Sequence, residues 1–258
     1  MSLACLLADH VKRTIRATRG FRVAGLDWLV PWLTYTVSPA LARLAPGRTV
    51  EFNGFSARLG FGDLYTFANL FEDYPIAELR QALGEVQKVI DAGANVGAFS
   101  WLVLQTARQI RRKIPVTAIE PAPENVTQLE SQPFASELSV KSGAIGAQTG
   151  KGWLKPGHNS VTHTVAFARD NCDSAEVKIF DLESLCEVPV LLKLDVEGGE
   201  YSILRKGLPA QVLYMFLEWH AGSEADRPED PRALVPLGVW RLISRDLYGS
   251  STWFWKRR

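Results

Sequence analysis

The sequence has few cysteines and lacks a long apolar run. Three cysteines, at positions 5, 172 and 186, are too few and too scattered for a disulfide framework or a zinc site, which predicts a reducing compartment. The longest charge-free apolar stretch, residues 28–42, contains two prolines and is shorter than the roughly 20 residues of a membrane-spanning helix. Charged residues interrupt the N-terminus where a secretory signal needs an apolar core. We therefore expect a cytoplasmic protein.

The sequence also lacks an excess of charge of either sign. It has 29 Lys plus Arg against 28 Asp plus Glu, for a net charge of +1, so the basic surplus typical of nucleic-acid binders is absent and we expect no nucleic-acid partner. With 47% hydrophobic and 22% charged residues, the composition is that of an ordinary globular protein. A length of 258 residues fits one large α/β domain with an appendage.

Residues 1–45 differ from the rest of the chain. Leu3, Leu7, Val11 and Ile15 recur every four residues, and basic residues lie off that stripe, which predicts a basic amphipathic helix. Such a helix suits peripheral contact with an anionic membrane or a lipid-linked substrate. The alternative, which we favour, is a helical appendage that packs on the main domain with its charges in water.

Two strand-like runs and two helical pieces follow this segment. Residues 49–59 contain two alternating runs around Asn53-Gly54, a pair that suits a tight hairpin turn. Residues 65–71 and 75–83 have helical patterns.

The remainder alternates between apolar strands and helices, which predicts an α/β fold with a mostly parallel sheet and helices on both faces. A segment rich in Gly and Ser, which precedes residue 190, is interpreted as irregular. The predicted strands are residues 88–91, 115–120, 138–141, 190–195 and 212–218, the predicted helices are 97–110, 123–131 and 199–206, and a closing antiparallel hairpin comprises 239–244 and 252–256.

The most informative motif is VIDAGANVGAFS, residues 89–100. A strand ends at Asp91, Gly93 and Gly97 then bracket Asn95, and a helix begins, so a ligand can approach the backbone and the free N–H groups of the helix. The spacing differs from the G-x-G-x-x-G fingerprint of dinucleotide-binding folds, which disfavours a dehydrogenase. An acid at the head of the turn suits a cationic ligand.

A second acid, Glu120, ends the next predicted strand, where a carboxylate can accept hydrogen bonds from ribose hydroxyls. Together with Asp91 it indicates an adenosine ligand with a positively charged tail, and S-adenosylmethionine is the common molecule of that description. The alternative, a glycine-rich turn and a surface acid without any ligand, is disfavoured because both features occur in sequence.

Four motifs in this order resemble the FkbM-type S-adenosylmethionine-dependent methyltransferases: VIDAGANVGAFS, AIEPAPENVTQL, SGAIGAQTG and LLKLDVEGGEYSILRKG. The resemblance covers about residues 58–220, and LDVEGGE is its most specific part. It implies a class I methyltransferase fold, Rossmann-like, with a seven-stranded, mostly parallel sheet whose last strand is antiparallel. It also implies O-methylation of a hydroxyl, often on a sugar or another small natural product, and the amphipathic N-terminus is compatible with a glycolipid acceptor. The corresponding division is an N-terminal extension at 1–48 and a methyltransferase domain at 49–258, with a lead-in at 49–87 and the Rossmann-like core at 88–258.

The resemblance also implies which residues bind the cofactor, because they match the family's motifs. The residues assigned to S-adenosylmethionine in this way are Asp91, Gly93, Ala94, Asn95, Gly97, Glu120, Pro121, Gly143, Ala144 and Asp195. Asp195, Glu197 and Glu200 match the family's signature acids. Residues 153–180, which include His158 and His163, have no pattern that we can assign and are expected to contribute to the substrate region.

The candidate catalytic residues are Asp195, Glu197, Glu218 and His220, which follow two predicted parallel strands and should lie at one edge of the sheet. An unperturbed histidine suits general-base work at neutral pH, so His220 is one candidate base and Asp195 is its rival. Glu200 is explained equally well as a helix-capping residue.

The sequence alone leaves alternatives for the metal dependence of the protein and for whether it is a catalyst. The chain lacks the aspartate pair and asparagine of metal-dependent catechol-type enzymes, and we assign no metal. A non-catalytic relative that retains the fold as a binding or scaffolding module is the alternative function. The sequence does not define the acceptor or the oligomeric state.

Overall fold

The structure is a computed structural model, and it describes residues 43–45, 47–155, 164–166, 174–197, 199–220, 230–245 and 252–258. The predicted amphipathic helix lies almost entirely outside these residues, as do His158 and His163. Within the described part of the chain, no helix is long and apolar enough to cross a membrane.

The described chain begins with a hairpin and two helices. Strands β1 (Thr49–Phe52) and β2 (Phe55–Arg58) pair antiparallel, and Asn53 and Gly54 in the turn between them have φ angles of 50° and 72°. These left-handed conformations are the ones that a two-residue hairpin turn needs, so the hairpin prediction is confirmed. Helices α1 (Asp63–Asp73) and α2 (Ile76–Glu85) follow.

Strands and helices then alternate as predicted. The helices are α3 (Ala98–Gln109), α4 (Pro123–Glu130) and α5 (Glu200–Lys206), with single 3-10 turns at Ala135–Glu137, Glu183–Leu185 and Pro231–Ala233. The strands are β3 (Lys88–Ala92), β4 (Val116–Glu120), β5 (Leu138–Ser142), β6 (Ala144–Gly146), β7 (Gly150–Lys155), β8 (Thr164–Ala166), β9 (Ala175–Asp181), β10 (Val190–Leu194), β11 (Val212–Glu218), β12 (Trp240–Arg245) and β13 (Thr252–Arg257).

The central sheet has seven strands in the order β12-β13-β11-β10-β3-β4-β5. Neighbouring strands from β11 to β5 pair in parallel, whereas β13 is antiparallel to both β11 and β12. The prediction of a seven-stranded, mostly parallel sheet is therefore confirmed. The carboxyl ends of β3, β4, β5, β10 and β11 lie along one edge of the sheet, which we call the carboxyl edge.

Both faces of this sheet are buried. Val89, Leu191 and Phe216 belong to the core that also contains the buried side chains of α1, α2 and α3. Their neighbours in sequence alternate to the other face, where Leu192 and Met215 pack with side chains of α5. The two faces are covered by different elements, so the carboxyl edge is left as the accessible end of these strands.

The interpretation of the segment before β10 as irregular is wrong. Much of it forms a second, four-stranded sheet in the order β6-β9-β7-β8. Leu154 and Val177 from this sheet pack with Ala122 in a small core of their own. Its strands are short or rich in Gly and Lys, and β6 pairs with β9 across a long stretch of sequence, so local apolar alternation carries little signal.

Candidate active site

The turn after β3 packs directly against the chain that leaves β10. Gly93 has a φ angle of 78°, and a Cβ atom there would lie 1.6 Å from the backbone oxygen of Asp195. The N–H groups of Gly93 and Ala94 both donate to the carbonyl oxygen of Ile119 at 3.0 Å. The turn therefore contacts two neighbouring strands through its backbone, and only glycine fits at position 93.

The same turn leads into α3. Gly97 has a φ angle of 89° and immediately precedes Ala98, the first residue of the helix. A Cβ atom at Gly97 would lie 2.5 Å from Cδ1 of Leu129, which is the end of a flexible side chain. No side chain of the described residues caps the first N–H groups of α3, so these donors are available beside the turn.

Two buried oxygens at this turn accept no hydrogen bond from the residues that the structure describes, although the Lys193 ammonium lies 3.5 Å from one of them, Asp91 Oδ1. Asp91 is fully buried, and its Oδ2 accepts a hydrogen bond of 2.7 Å from Ser100. Asp91 Oδ1 and Asn95 Oδ1 accept none from the described residues. Because an unsatisfied buried acceptor costs free energy, both oxygens are suited to receive donors from a ligand.

Lys193 is a residue of this site that the sequence assignment missed. Its side chain is 6% exposed, and its ammonium lies 2.6 Å from the carbonyl oxygen of Gly93, 2.9 Å from Asp195 Oδ2 and 3.5 Å from Asp91 Oδ1. Burial alone would lower the pKa of Lys193, but the carboxylates of Asp195 and Asp91 outweigh it and raise the pKa above its ordinary value. A charged residue inside the buried apolar strand VLLKL was the available signal.

Glu120, at the end of β4, connects the turn after β3 to the chain that follows β4. Its Oε2 accepts from the backbone N–H of Asn95 at 2.8 Å, and its Oε1 accepts from that of Ala122 at 3.0 Å. Burial raises the pKa of Glu120 to about 7. The backbone carbonyl of Glu120 accepts from the N–H of Gly143 at 2.9 Å, which places Gly143 beside it. The predicted cofactor residues Pro121 and Ala144 directly follow Glu120 and Gly143 in sequence.

Side chains connect the hairpin of the lead-in to Glu120. Arg58 donates to Asp63 Oδ2 at 2.9 Å and to Asn125 Oδ1 at 3.2 Å. Asn125 Nδ2 in turn donates to Glu120 Oε1 at 3.4 Å. The residues before β3 therefore help to position an acid of the site.

A second group of side chains, Glu197, Glu200, Glu218 and His220, lies at the ends of β10 and β11. We call it the acid cluster. His220 Nδ1 lies 3.1 Å from Glu200 Oε1, while its Nε2 lies 3.5 Å from Glu197 Oε2 and 3.9 Å from Glu218 Oε1. Glu200 is buried and also accepts from the N–H of Val196 at 2.9 Å. Glu200 therefore orients His220 and the loop after β10.

The acid cluster changes the expected role of His220. Burial of the imidazole lowers its pKa, but the hydrogen bond to Glu200 and the charges of the nearby acids outweigh it and raise the pKa to about 9. His220 is therefore an imidazolium at neutral pH and a poor general base in this state. Burial raises the pKa of Glu197 above its ordinary value, which favours Glu197 as a proton acceptor.

Among the described residues, Asp195, Glu218 and His220 offer ligand atoms within 4.8 Å of one another. This spacing is compatible with a metal ion, and Asp195 in the same group also pairs with Lys193 at 2.9 Å. The ion pairs of the described residues balance much of the charge of these acids.

Comparisons with known proteins agree with this architecture. Residues 91–235, more than half of the chain, match the family model described as the methyltransferase FkbM domain. The matched span contains the turn after β3, Glu120 and the acid cluster. The fold and this match define the protein as a methyltransferase. The chain belongs to the FkbM methyltransferase family.

Other comparisons add only general likeness. The crystal structure of a protein from Pyrococcus horikoshii assigned as an RNA methyltransferase is 13% identical, with 86% of this chain and 98% of that chain covered and a TM-score of 0.38. No curated protein sequence matches the chain.

Proposed function

We propose that the protein transfers a methyl group from S-adenosylmethionine to a hydroxyl of a sugar, a glycolipid or a small natural product. The observation that carries the proposal is the pair of buried oxygens, Asp91 Oδ1 and Asn95 Oδ1, which accept no hydrogen bond from the described residues, although Asp91 Oδ1 lies 3.5 Å from the Lys193 ammonium. They lie in a glycine turn at the carboxyl edge of a sheet whose chain belongs to a methyltransferase family.

The residues present fit the cofactor. Asp91 and the turn around Asn95 would accept from the ammonium of its methionine part, and the N-terminus of α3 would face its carboxylate. Glu120 would bind the ribose, and Gly143 and Ala144 would meet the adenine edge. When bound, the cofactor supplies a methyl group that is activated by its positively charged sulfur. The strand order of the sheet supports a Rossmann-like methyltransferase core.

The chain's own residues then orient the acceptor and remove its proton. An attacking hydroxyl must lie in line with the methyl group, so correct positioning supplies most of the rate. Asp195, which lies 2.9 Å from the Lys193 ammonium, can accept a hydrogen bond from the hydroxyl. Glu197 is placed to take the proton, and the imidazolium of His220 holds Glu197 through their contact at 3.5 Å.

The acid cluster supports a polyhydroxylated acceptor. Glu197, Glu218 and His220 are half-buried, with about a third or less of each side chain exposed, so a ligand can reach them. Carboxylates accept hydrogen bonds from hydroxyls, and several of them at one edge suit a ligand with more than one hydroxyl. The glycolipid class is included because of the amphipathic pattern in residues 1–45.

The test is a transfer assay with methyl-labelled S-adenosylmethionine and a panel of sugars, glycolipids and hydroxylated natural products. We expect label in at least one hydroxylated acceptor, and loss of transfer by at least about 100-fold in Asp91→Asn, since that variant removes the buried charge. Asp181→Asn is the matched control, because this carboxylate pairs with Lys206 outside the site. Transfer to nitrogen or carbon acceptors alone would contradict O-methylation. Cofactor binding without transfer to any acceptor would support the non-catalytic module instead.

A further inference from the structure

Lys193 is the one buried ammonium among the described residues of the carboxyl edge, and it lies between two acids. It contacts Asp195 at 2.9 Å and Asp91 at 3.5 Å, and all three side chains project toward the turn after β3. If the ammonium were replaced by a neutral group, the carboxylates of Asp91 and Asp195 would repel each other in a largely buried site. The local sum of these three charges is a single negative charge.

The same ammonium also joins two backbone segments. It donates to the carbonyl oxygen of Gly93 at 2.6 Å, and Gly93 itself lies against the backbone of Asp195. Lys193 therefore connects the glycine turn to the end of β10 by a hydrogen bond as well as by charge. The two contributions can be separated by substitution, because a neutral donor retains the first and loses the second.

We propose that Lys193 is a positioning residue that sets the net charge of the cofactor pocket, so that the pocket discriminates only weakly between the cationic cofactor and its neutral product. This inference rests on the proposed function. S-adenosylmethionine carries one more positive charge than S-adenosylhomocysteine. If the charges of Asp91 and Asp195 were not compensated, the pocket would favour the cationic cofactor more strongly. Lys193 compensates part of this negative charge. The neutral product can therefore compete with the cofactor for the pocket.

The consequence is a change in the ratio of two affinities rather than in either alone. Removing the ammonium adds one net negative charge beside the turn that would hold the cofactor, and should shift the ratio of the dissociation constants by about tenfold in favour of S-adenosylmethionine.

The experiment is calorimetric titration of the full chain with S-adenosylmethionine and with S-adenosylhomocysteine at pH 6, 7 and 8. Three variants separate charge from hydrogen bonding: Lys193→Met removes both, Lys193→Gln retains a donor, and Lys193→Arg retains both. We expect the tenfold shift, relative to the wild type at the same pH, in the Met and Gln variants, and a ratio in the Arg variant that is close to wild type at each pH. Glu120, whose pKa is about 7, titrates in the wild type and in the variants alike, so each variant is compared with the wild type at the same pH.

The outcomes separate the inference from the proposed function. If the wild type binds both ligands and the Met and Gln variants weaken both equally, with an unchanged ratio, Lys193 is merely structural and the inference is overturned. If Lys193→Met fails to fold, the Gln variant, which retains a donor to Gly93, carries the same comparison. If the wild type binds neither ligand, the proposed function fails, and the inference fails with it.

Discussion

The two halves of the carboxyl edge are built differently. The turn after β3 is defined by backbone: Gly93 lies against the carbonyl of Asp195, and Glu120, 5% exposed, accepts from two backbone N–H groups. The acid cluster is defined by half-buried side chains, such as His220, which is 27% exposed and is held by the charges of three acids. Backbone packing tolerates little change, whereas side-chain charges can be rearranged. This difference is what we expect if the turn binds a constant cofactor and the acid cluster an acceptor particular to this protein.

The largest expected effect comes from Gly93→Ala. Its Cβ atom would overlap a backbone oxygen that cannot move aside, and the φ angle of 78° adds strain. We expect a loss of about 4 kcal/mol in the free energy of unfolding, measured by chemical denaturation, with loss of cofactor binding.

Gly84→Ala in α2 is the matched control. This glycine is exposed, and nothing in the described part of the chain lies within 4 Å of an added Cβ. The variant should be as stable as the wild type or more stable by about 0.5–1 kcal/mol. Equal losses in both variants would show that the turn has no special backbone packing.

The second effect concerns the pH dependence of Glu120. Its folded pKa of about 7 lies above the ordinary value of 4.5, so ionising it costs stability. The cost is absent below pH 4.5 and complete above pH 7, and the free energy of unfolding should fall by roughly 3 kcal/mol across that window. Glu120→Gln should lack this fall when both proteins are denatured with urea at a series of pH values. Parallel pH profiles for the two proteins would contradict the buried environment of Glu120.

The third effect concerns His220 in the acid cluster, where a raised pKa stabilises the fold instead of destabilising it. The folded pKa of His220 is about 9, above its ordinary value of 6.5, so the imidazolium contributes stability that is complete below pH 6.5 and is lost as the pH rises through 9. His220→Gln should be less stable than the wild type by about 2 kcal/mol at pH 6 and nearly equal to it at pH 10. Nuclear magnetic resonance titration of the imidazole would measure the pKa directly. A value near 6.5 would restore His220 as a general base and refute the charge network.

The smallest effect is expected away from the carboxyl edge. Asp181 pairs with Lys206 at 3.1 Å, and Lys206 is 41% exposed. Because exposed ion pairs contribute little, Asp181→Asn should change the free energy of unfolding by less than about 1 kcal/mol and leave cofactor affinity unchanged. A large change in cofactor affinity would mean that the site extends beyond the carboxyl edge.

The same contrast explains how much the sequence predicts. The strand at 212–218 and the helix at 97–110 were predicted almost to the residue, because buried parallel strands are continuous apolar runs and the helix follows a glycine turn. The glycine turn after β3 was predictable because its sequence signal is local. The second sheet was not, since its strands pair across long stretches of sequence.

Partners in space account for the remaining misses. In the sequence, Lys193 is an isolated charge in an apolar strand. Its contacts with Asp91 and Asp195 are known only from the folded structure. His220 reads as an ordinary histidine, and its raised pKa depends on Glu200, which lies on a different element. Pairwise electrostatics of this kind cannot be derived from one sequence without the fold.

The most direct test of cofactor binding is calorimetric titration with S-adenosylmethionine and S-adenosylhomocysteine, alongside NAD, of the wild type and of an Asp91→Ala plus Glu120→Ala double variant. Circular dichroism would verify that the double variant is folded. The account predicts micromolar binding of both sulfur ligands by the wild type, no binding of NAD, and no binding by the folded double variant. Absence of binding by the wild type, or equal binding by the double variant, would contradict it.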